Sequence, residues 1–154
     1  MIRKSHIAAA AVLLASVIAA APASADPNCH TRHGSVTIQI VTDFTCTSDV
    51  HLCANVQFLG GLHGESSFVG TSLNASIDVA ATGIVFLTGD NHIRTREGDL
   101  FVKDAIVFNT TDEAEFSEVD TIVGGTGEYE GATGRLQAVG KNNEGSFVVE
   151  ICTP

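Results

Sequence analysis

Apolar and polar residues alternate along much of the chain after residue 34. Between residues 35 and 46, Val36, Ile38 and Ile40 fall on one parity, and Thr37 and Gln39 fall on the other. A period of two is typical of a β-strand with one buried face. The same period returns at 52–58, 73–79 and 100–108, and further strand-like runs follow at 119–123, 135–139 and 146–151.

Clusters of turn-forming residues separate these segments, at 59–64, 88–91, 96–99, 109–113 and 141–145. Short strands about ten residues apart are typical of an all-β sandwich or barrel. About eight strands can lose their exposed sheet edges only by closing. We therefore predict an all-β fold, an eight-stranded antiparallel barrel. Residues 112–117 could form one helical turn, although their acidic run favours a solvated loop.

The first 25 residues have the pattern of a secretory signal peptide. Arg3 and Lys4 precede an apolar run from residue 7 to residue 20, and Ala23-Ser24-Ala25 fits a cleavage site. A retained membrane anchor is the alternative, but about 20 apolar residues are needed to span a bilayer. We predict export after cleavage near Ala25, to the periplasm or the extracellular space, and one domain over residues 26–154.

The chain is acidic, with a formal net charge of −10. Loss of Arg3 and Lys4 with the signal peptide would make it two units more negative. Such a charge repels nucleic acid and anionic membranes. We therefore expect no nucleic-acid partner, whereas a neutral or cationic partner is compatible with the charge. We also expect no membrane span, because Gly, Thr, Asn or a carboxylate interrupts each apolar run after the signal peptide.

Four cysteines, all after residue 25, are expected to be oxidised in an exported protein. Three pairings are possible, and the positions favour Cys46 with Cys53 across a short insert and Cys29 with Cys152 near the two ends. The chain-entropy relation gives about 2.5 kcal/mol for the first and about 5 kcal/mol for the second. The nearby histidines match no standard zinc spacing, so we expect no metal.

Residues 124–134 read GGTGEYEGATG. Glu130 replaces the third glycine of a dinucleotide-binding loop, and Arg135 and Leu136 stand where a phosphate-binding loop needs lysine and serine or threonine. We interpret the glycines as structural positions that permit positive φ, a bulge and close strand approach. They are Gly124, Gly125, Gly127, Gly131 and Gly134.

The segment 121–140 resembles the glycine-rich strand pair of the allene oxide cyclase and dirigent superfamily, with Tyr129 at its aromatic position. Residues 89–108 are similar in layout to secreted bacterial members. The resemblance implies a calycin-like eight-stranded barrel in which Tyr129 is a packing aromatic. Allene oxide cyclases guide ring closure of a fatty-acid epoxide, and dirigent proteins guide coupling of phenoxy radicals. It implies an apolar substrate, but the polar residues of those families align with no position here.

Asp104 is the clearest polar candidate, because it interrupts the apolar series of the strand at 100–108. An inward carboxyl group in an apolar barrel needs a partner or has a raised pKa. A three-residue turn at 97–99 would place His92 opposite Asp104. A two-residue turn at Glu97-Gly98 would place Asn91 opposite Asp104 and is favoured, because it keeps Ile93 inside.

These features predict a barrel that binds a small apolar or amphipathic molecule, without a cofactor. The expected ligand-binding residues are Asp104, Asn91, Ile38, Phe58, Phe86 and Phe108. A cyclase or isomerase of the resembled type is the first alternative, with Asp104 and His92 as catalytic candidates. A filled barrel that serves as a structural or interaction protein is the second.

Overall fold

The computed structural model describes residues 28–41, 45–75, 83–111 and 114–154. The signal-peptide prediction for residues 1–25 lies outside these ranges. Eight strands make up most of the described chain. They are β1 (Cys29–Val41), β2 (Cys53–Gly60), β3 (Gly64–Ala75), β4 (Ile84–Thr95), β5 (Asp99–Asn109), β6 (Glu115–Gly125), β7 (Thr133–Lys141) and β8 (Glu144–Cys152). One short 3₁₀ turn, Gly127–Tyr129, joins β6 to β7.

The strands form a closed antiparallel barrel in sequence order. Each strand pairs with the next, and β1 also pairs with β8, from Cys29 opposite Cys152 to Thr37 opposite Glu144. This closure leaves neither terminal strand with an open edge. The predicted fold class is confirmed. In the part of the chain that the structure describes, no helix is long and apolar enough to cross a membrane.

One end of the barrel is filled by side chains. Leu62, Leu100 and Val149 have no accessible surface there, and the rings of Phe58 and Phe147 meet edge to face with centroids 5.3 Å apart. Tyr129 is buried in the same cluster. We call this the filled end.

The glycine-rich segment 124–134 lies at the filled end and packs on the β4–β5 turn. Gly127 has φ 63°, and a Cβ at this position would lie 2.5 Å from the carbonyl oxygen of Glu97. The Glu128 amide donates to that same oxygen at 2.9 Å. The β5–β6 register also shifts at Phe101, opposite Gly124, as a bulge requires. The backbone of the glycine-rich segment is therefore in close contact with the backbone of the β4–β5 turn.

Arg32 and Tyr129 both bind Glu97 at the same end. Arg32 Nη1 donates to Glu97 Oε2 at 3.0 Å, and the Tyr129 hydroxyl donates to the same oxygen at 2.5 Å. The guanidinium also lies 5.9 Å from the centre of the Tyr129 ring. These contacts join β1, the β4–β5 turn and the glycine-rich segment.

Both disulfides have the pairing that the sequence favoured. Cys29–Cys152 joins the first strand to the last beside the filled end, and Cys46–Cys53 closes the insert that precedes β2. No described cysteine is free.

Two sequence predictions about local structure were wrong. The predicted turn at 88–91 lies within β4, where Gly89 leaves room for the ring of Phe68, because a Cβ there would lie 2.1 Å from that ring. The solvated loop or helical turn expected at 112–117 gives way to β6 from Glu115 onwards. The strand predicted at 73–79 is confirmed for residues 73–75, which end a longer β3 that begins at Gly64, and residues 76–79 lie outside the described ranges.

Candidate functional site

A cavity of about 350 Å³ lies inside the barrel beyond the filled end. Its wall is mostly apolar, and small inward residues such as Ala54 and Ala138 leave room for it. It reaches the opposite end of the barrel, where Ile40 and Leu73 are exposed. This volume lies within the range of small-molecule sites, roughly 300–1,000 Å³.

Three of the four apolar residues predicted to line a cavity do so: Ile38, Phe58 and Phe108. Phe86 does not, and its prediction was wrong. It is 52% exposed on the outside of β4, whereas its neighbours Val85 and Leu87 line the cavity. Successive side chains of a strand point to opposite faces, so a single step in parity moved Phe86 outside.

Asp104 lines the cavity and is only 3% exposed. In the two neighbouring strands it lies opposite Gly89 of β4 and Asp120 of β6. Neither of its carboxyl oxygens has a hydrogen-bond partner of normal geometry. A buried polar group without a partner loses its hydration without compensation. Two of the four buried polar side-chain atoms without a hydrogen-bond partner among the described residues therefore belong to Asp104.

Glu118 and Asp120 of β6 lie beside Asp104, and we call the three residues the carboxyl cluster. Their nearest carboxyl oxygens all lie within 4.8 Å of one another. Glu118 lines the cavity, and Asp120 is 2% exposed. Asp120 Oδ1 accepts one long hydrogen bond, 3.4 Å, from the amide of Ala105. The barrel thus holds three acids in one apolar interior.

Burial and mutual repulsion raise the pKa values of the cluster. Burial is the main cause for Asp104, whose pKa rises to about 8, and the charge of Glu118 adds to it. Burial also raises the pKa of Asp120, to about 10, with contributions from the charges of Glu118 and Asp104. The pKa of Glu118 is raised as well, again mainly by burial. The cluster therefore holds protons at neutral pH.

Asn91 of β4 lines the cavity next to Asp104. It is 7% exposed, and its Oδ1 has no hydrogen-bond partner. Its proximity to Asp104 lowers the pKa of that carboxyl group, against the larger effect of burial. Asn91 lies opposite Val102 in the β4–β5 pair and not opposite Asp104.

Neither register considered for the β4–β5 hairpin is the observed one. Arg94 pairs with Asp99 and Ile93 with Leu100, so the connection is longer than either predicted turn. The favoured two-residue turn was therefore wrong in register but right in parity, because Ile93 and Asn91 face inward. The longer turn is held by Thr95, whose amide and hydroxyl both donate to the carbonyl of Gly98.

His92, the other catalytic candidate, lies on the outside of the barrel. Its Nε2 is 2.9 Å from Asp99 Oδ2, and its ring packs against Phe101 with centroids 5.2 Å apart. The pairing of His92 with Asp104 was therefore wrong. Parity explains this, because Asn91 and Ile93 occupy the inward positions on either side.

Among the described residues that line the cavity there is no lysine, arginine or histidine. Four cations of the described strands contact exterior groups instead: Arg32 with Glu97, Arg94 with Ser67, Lys103 with Asp90 and Arg135 with Glu150. The three carboxyl groups and Asn91 Oδ1 are oxygen donors, which suit hard cations. The cysteines near the histidines are in disulfides and offer no thiolate.

Glu118 and Asp120 were missed by the sequence analysis. The inward series of β6 is Phe116, Glu118, Asp120 and Ile122, which alternates apolar and acidic residues. The outward series contains Val119 and Val123, both more than half exposed. Because these valines are apolar, the sequence pattern indicated the outward face of β6 as the buried face. The sequence does contain one indication of this face. Phe116, Asp120 and Ile122 are separated by even numbers of positions, so they lie on the same face of the strand.

Comparison of the chain with protein-family models, curated proteins and solved structures gave no match in any of the three.

Proposed function

We propose that this protein binds a small apolar or amphipathic molecule inside its barrel. The observation that carries the proposal is the cavity of about 350 Å³, with its apolar wall and a few polar groups gathered at one place. Pockets that bind small molecules combine these two properties. A filled barrel that serves only for interaction would have no such cavity.

A cavity-filling variant tests this proposal. Ala54 lines the cavity, so Ala54→Phe reduces its volume, whereas Ala105→Phe adds the same ring outside the barrel. The neutral probe N-phenyl-1-naphthylamine should gain fluorescence with the wild-type protein and with Ala105→Phe. Ala54→Phe should weaken its binding at least about tenfold.

Circular dichroism establishes that each variant folds, and Ala138→Leu is a second, milder filling variant. Equal probe binding by all folded variants would contradict a site inside the barrel. Mass spectrometry of small molecules that copurify with the wild-type protein then identifies the natural ligand.

Asp104 favours a second candidate function, an isomerase or cyclase. Its raised pKa, about 8, keeps the carboxyl group protonated at neutral pH, as a general acid requires. The resemblance of residues 121–140 to the allene oxide cyclase and dirigent superfamily supports the same class. To test it, the copurified ligand is incubated with fresh protein. An isomer of unchanged mass that forms with wild-type protein and not with Asp104→Asn supports an isomerase, and unchanged ligand contradicts it.

We also propose that the protein acts outside the cytoplasm. The signal-like residues 1–25 and the two disulfides support export, since disulfides persist in oxidising compartments. Amino-terminal sequencing of the protein from culture medium or periplasm should give a start near Asp26. An intact Met1 would contradict cleavage.

A further inference from the structure

We propose that the ligand is an amphipathic cation, with an ammonium group against the carboxyl groups of Asp104 and Glu118 and an apolar body in the cavity. This inference rests on the proposed function and names the chemical class of the ligand. Small primary alkylamines are its simplest representatives.

The arrangement of the cavity favours a molecule with two different ends. Asp104, Glu118 and Asn91 are gathered on β4, β5 and β6, whereas most of the remaining wall is apolar. The rings of Phe108 and Phe116 stack with centroids 6.3 Å apart, and both line the cavity. A ligand with one polar end and one apolar end would satisfy both parts of this wall.

The polar groups at the cavity need hydrogen-bond donors. Asp104 Oδ1, Asp104 Oδ2 and Asn91 Oδ1 are buried and have no hydrogen-bond partner, and all three are acceptors once Asp104 is ionised. A primary ammonium group supplies three N–H donors and no acceptor. Three unpartnered acceptors in one place therefore match the donors of one ammonium group. Asn91 supports this match separately from the acids, because its side chain is neutral and its Oδ1 has no hydrogen-bond donor.

The charge of the site also favours a cation. The described residues of the cavity wall contribute two carboxyl groups and no basic side chain, and a carboxyl oxygen of Asp120 lies within 4.8 Å of both groups. An ammonium ion would favour the ionised form of these acids and lower their pKa values. A carboxylate or phosphate ligand would instead raise these pKa values further and would be repelled by any acid of the cluster that ionises. The acidic chain would attract cations over longer distances too.

Proton release is a second signature of this binding mode. The pKa of Asp104 is about 8, so its carboxyl group is mostly protonated at pH 7. An ammonium group bound beside it should displace up to about one proton, whereas a neutral ligand should displace none. Among the described residues, Asp104 and Glu118 are the titratable groups that line the cavity, with Asp120 beside them.

The test is isothermal titration with three probes of equal chain length: n-octylamine, octan-1-ol and octanoate. Titrations at pH 7 in two buffers of different ionisation enthalpy report the protons released. We expect octylamine to bind at least about tenfold more tightly than octan-1-ol, with proton release for the amine alone. Octanoate should bind most weakly.

Variants locate the effect. Asp104→Asn should weaken octylamine binding at least about tenfold and leave octan-1-ol binding within about twofold, and Glu118→Gln is the second variant if the first does not fold. Asp49→Asn, which changes an exposed acid, should alter neither.

The two proposals fail in different ways. If none of the three probes binds, the proposed function fails. If octan-1-ol binds and octylamine binds no more tightly, or if Asp104→Asn and Glu118→Gln both keep full amine affinity, only this inference is overturned. Displacement of octylamine by micromolar CaCl2 would also overturn it and identify the carboxyl cluster as a metal site.

Discussion

Asp104 and Asp120 lie directly opposite each other on β5 and β6, both inside the barrel and both almost fully buried. Like charges at directly opposed positions of a sheet repel each other, and here no described basic side chain lines the adjoining cavity. The pair is therefore accommodated through protonation, which makes the stability of the barrel depend on pH.

Stability should fall as the pH rises from 5 to 8. An unfolded aspartate has a pKa near 3.9, whereas Asp104 has a folded pKa of about 8 and Asp120 of about 10. Between these limits the folded state binds more protons than the unfolded state, so the free energy of unfolding decreases by up to about 1.4 kcal/mol per pH unit for each group. Urea unfolding at pH 5, 6.5 and 8 measures the slope. A flat or rising profile would contradict the buried acids.

Asp104→Asn should remove part of this slope. The amide cannot ionise, and its NH2 group can donate to Asn91 Oδ1 or to the remaining acids. We expect a gain of about 1–3 kcal/mol over wild type at pH 8 and little change at pH 5. Asp49→Asn is the matched control, and its profile should follow that of the wild type. If Asp104→Asn were less stable than wild type at pH 8, the proposed cost of ionising Asp104 inside the barrel would be contradicted.

Gly127→Ala should destabilise the filled end. Its φ of 63° is unfavourable for alanine, and the new Cβ would lie 2.5 Å from the Glu97 carbonyl oxygen. We expect a loss of about 2 kcal/mol or more. Glu128→Ala, at the next and exposed position, should change stability by no more than about 0.5 kcal/mol. Chemical denaturation of both variants distinguishes them, and equal stabilities would show that the contact with the β4–β5 turn tolerates a side chain.

The two disulfides should differ in their contribution. They separate residues by 123 and by 7 positions. Because loop-closure entropy grows with the length enclosed, loss of Cys29–Cys152 should cost about 5 kcal/mol and loss of Cys46–Cys53 about 2.5 kcal/mol. Paired Cys→Ser variants and urea unfolding give both values. A larger loss for the short loop would indicate that folded-state contacts, and not loop entropy, decide the difference.

Local alternation predicted the barrel, because side chains of each strand divide between core and exterior with a period of two. Alternation also predicted that Asp104 points into the barrel, because this acid interrupts an otherwise apolar series on β5. It failed on β6, where acids occupy inward positions and Val119 and Val123 lie outside. Hydrophobicity alone cannot assign the faces of such a strand.

Pairing between distant strands determined what the sequence could not predict. The turn-like residues 88–91 became part of β4 because Gly89 accommodates the ring of Phe68 on β3. The cluster of Asp104 and Asp120 depends on the β5–β6 register, which includes the bulge near Gly124. Such contacts depend on residues far apart in the chain, so inspection of each segment by itself does not find them.

The position of Cys29–Cys152 has a practical consequence. The disulfide and the residues that follow it lie beside the filled end, whereas the cavity reaches the opposite end of the barrel. A tag added after Pro154 would therefore be attached at the pole away from the cavity. Immobilised through that tag, the protein would present its binding end to solution, an orientation suited to a surface-based sensor for small molecules.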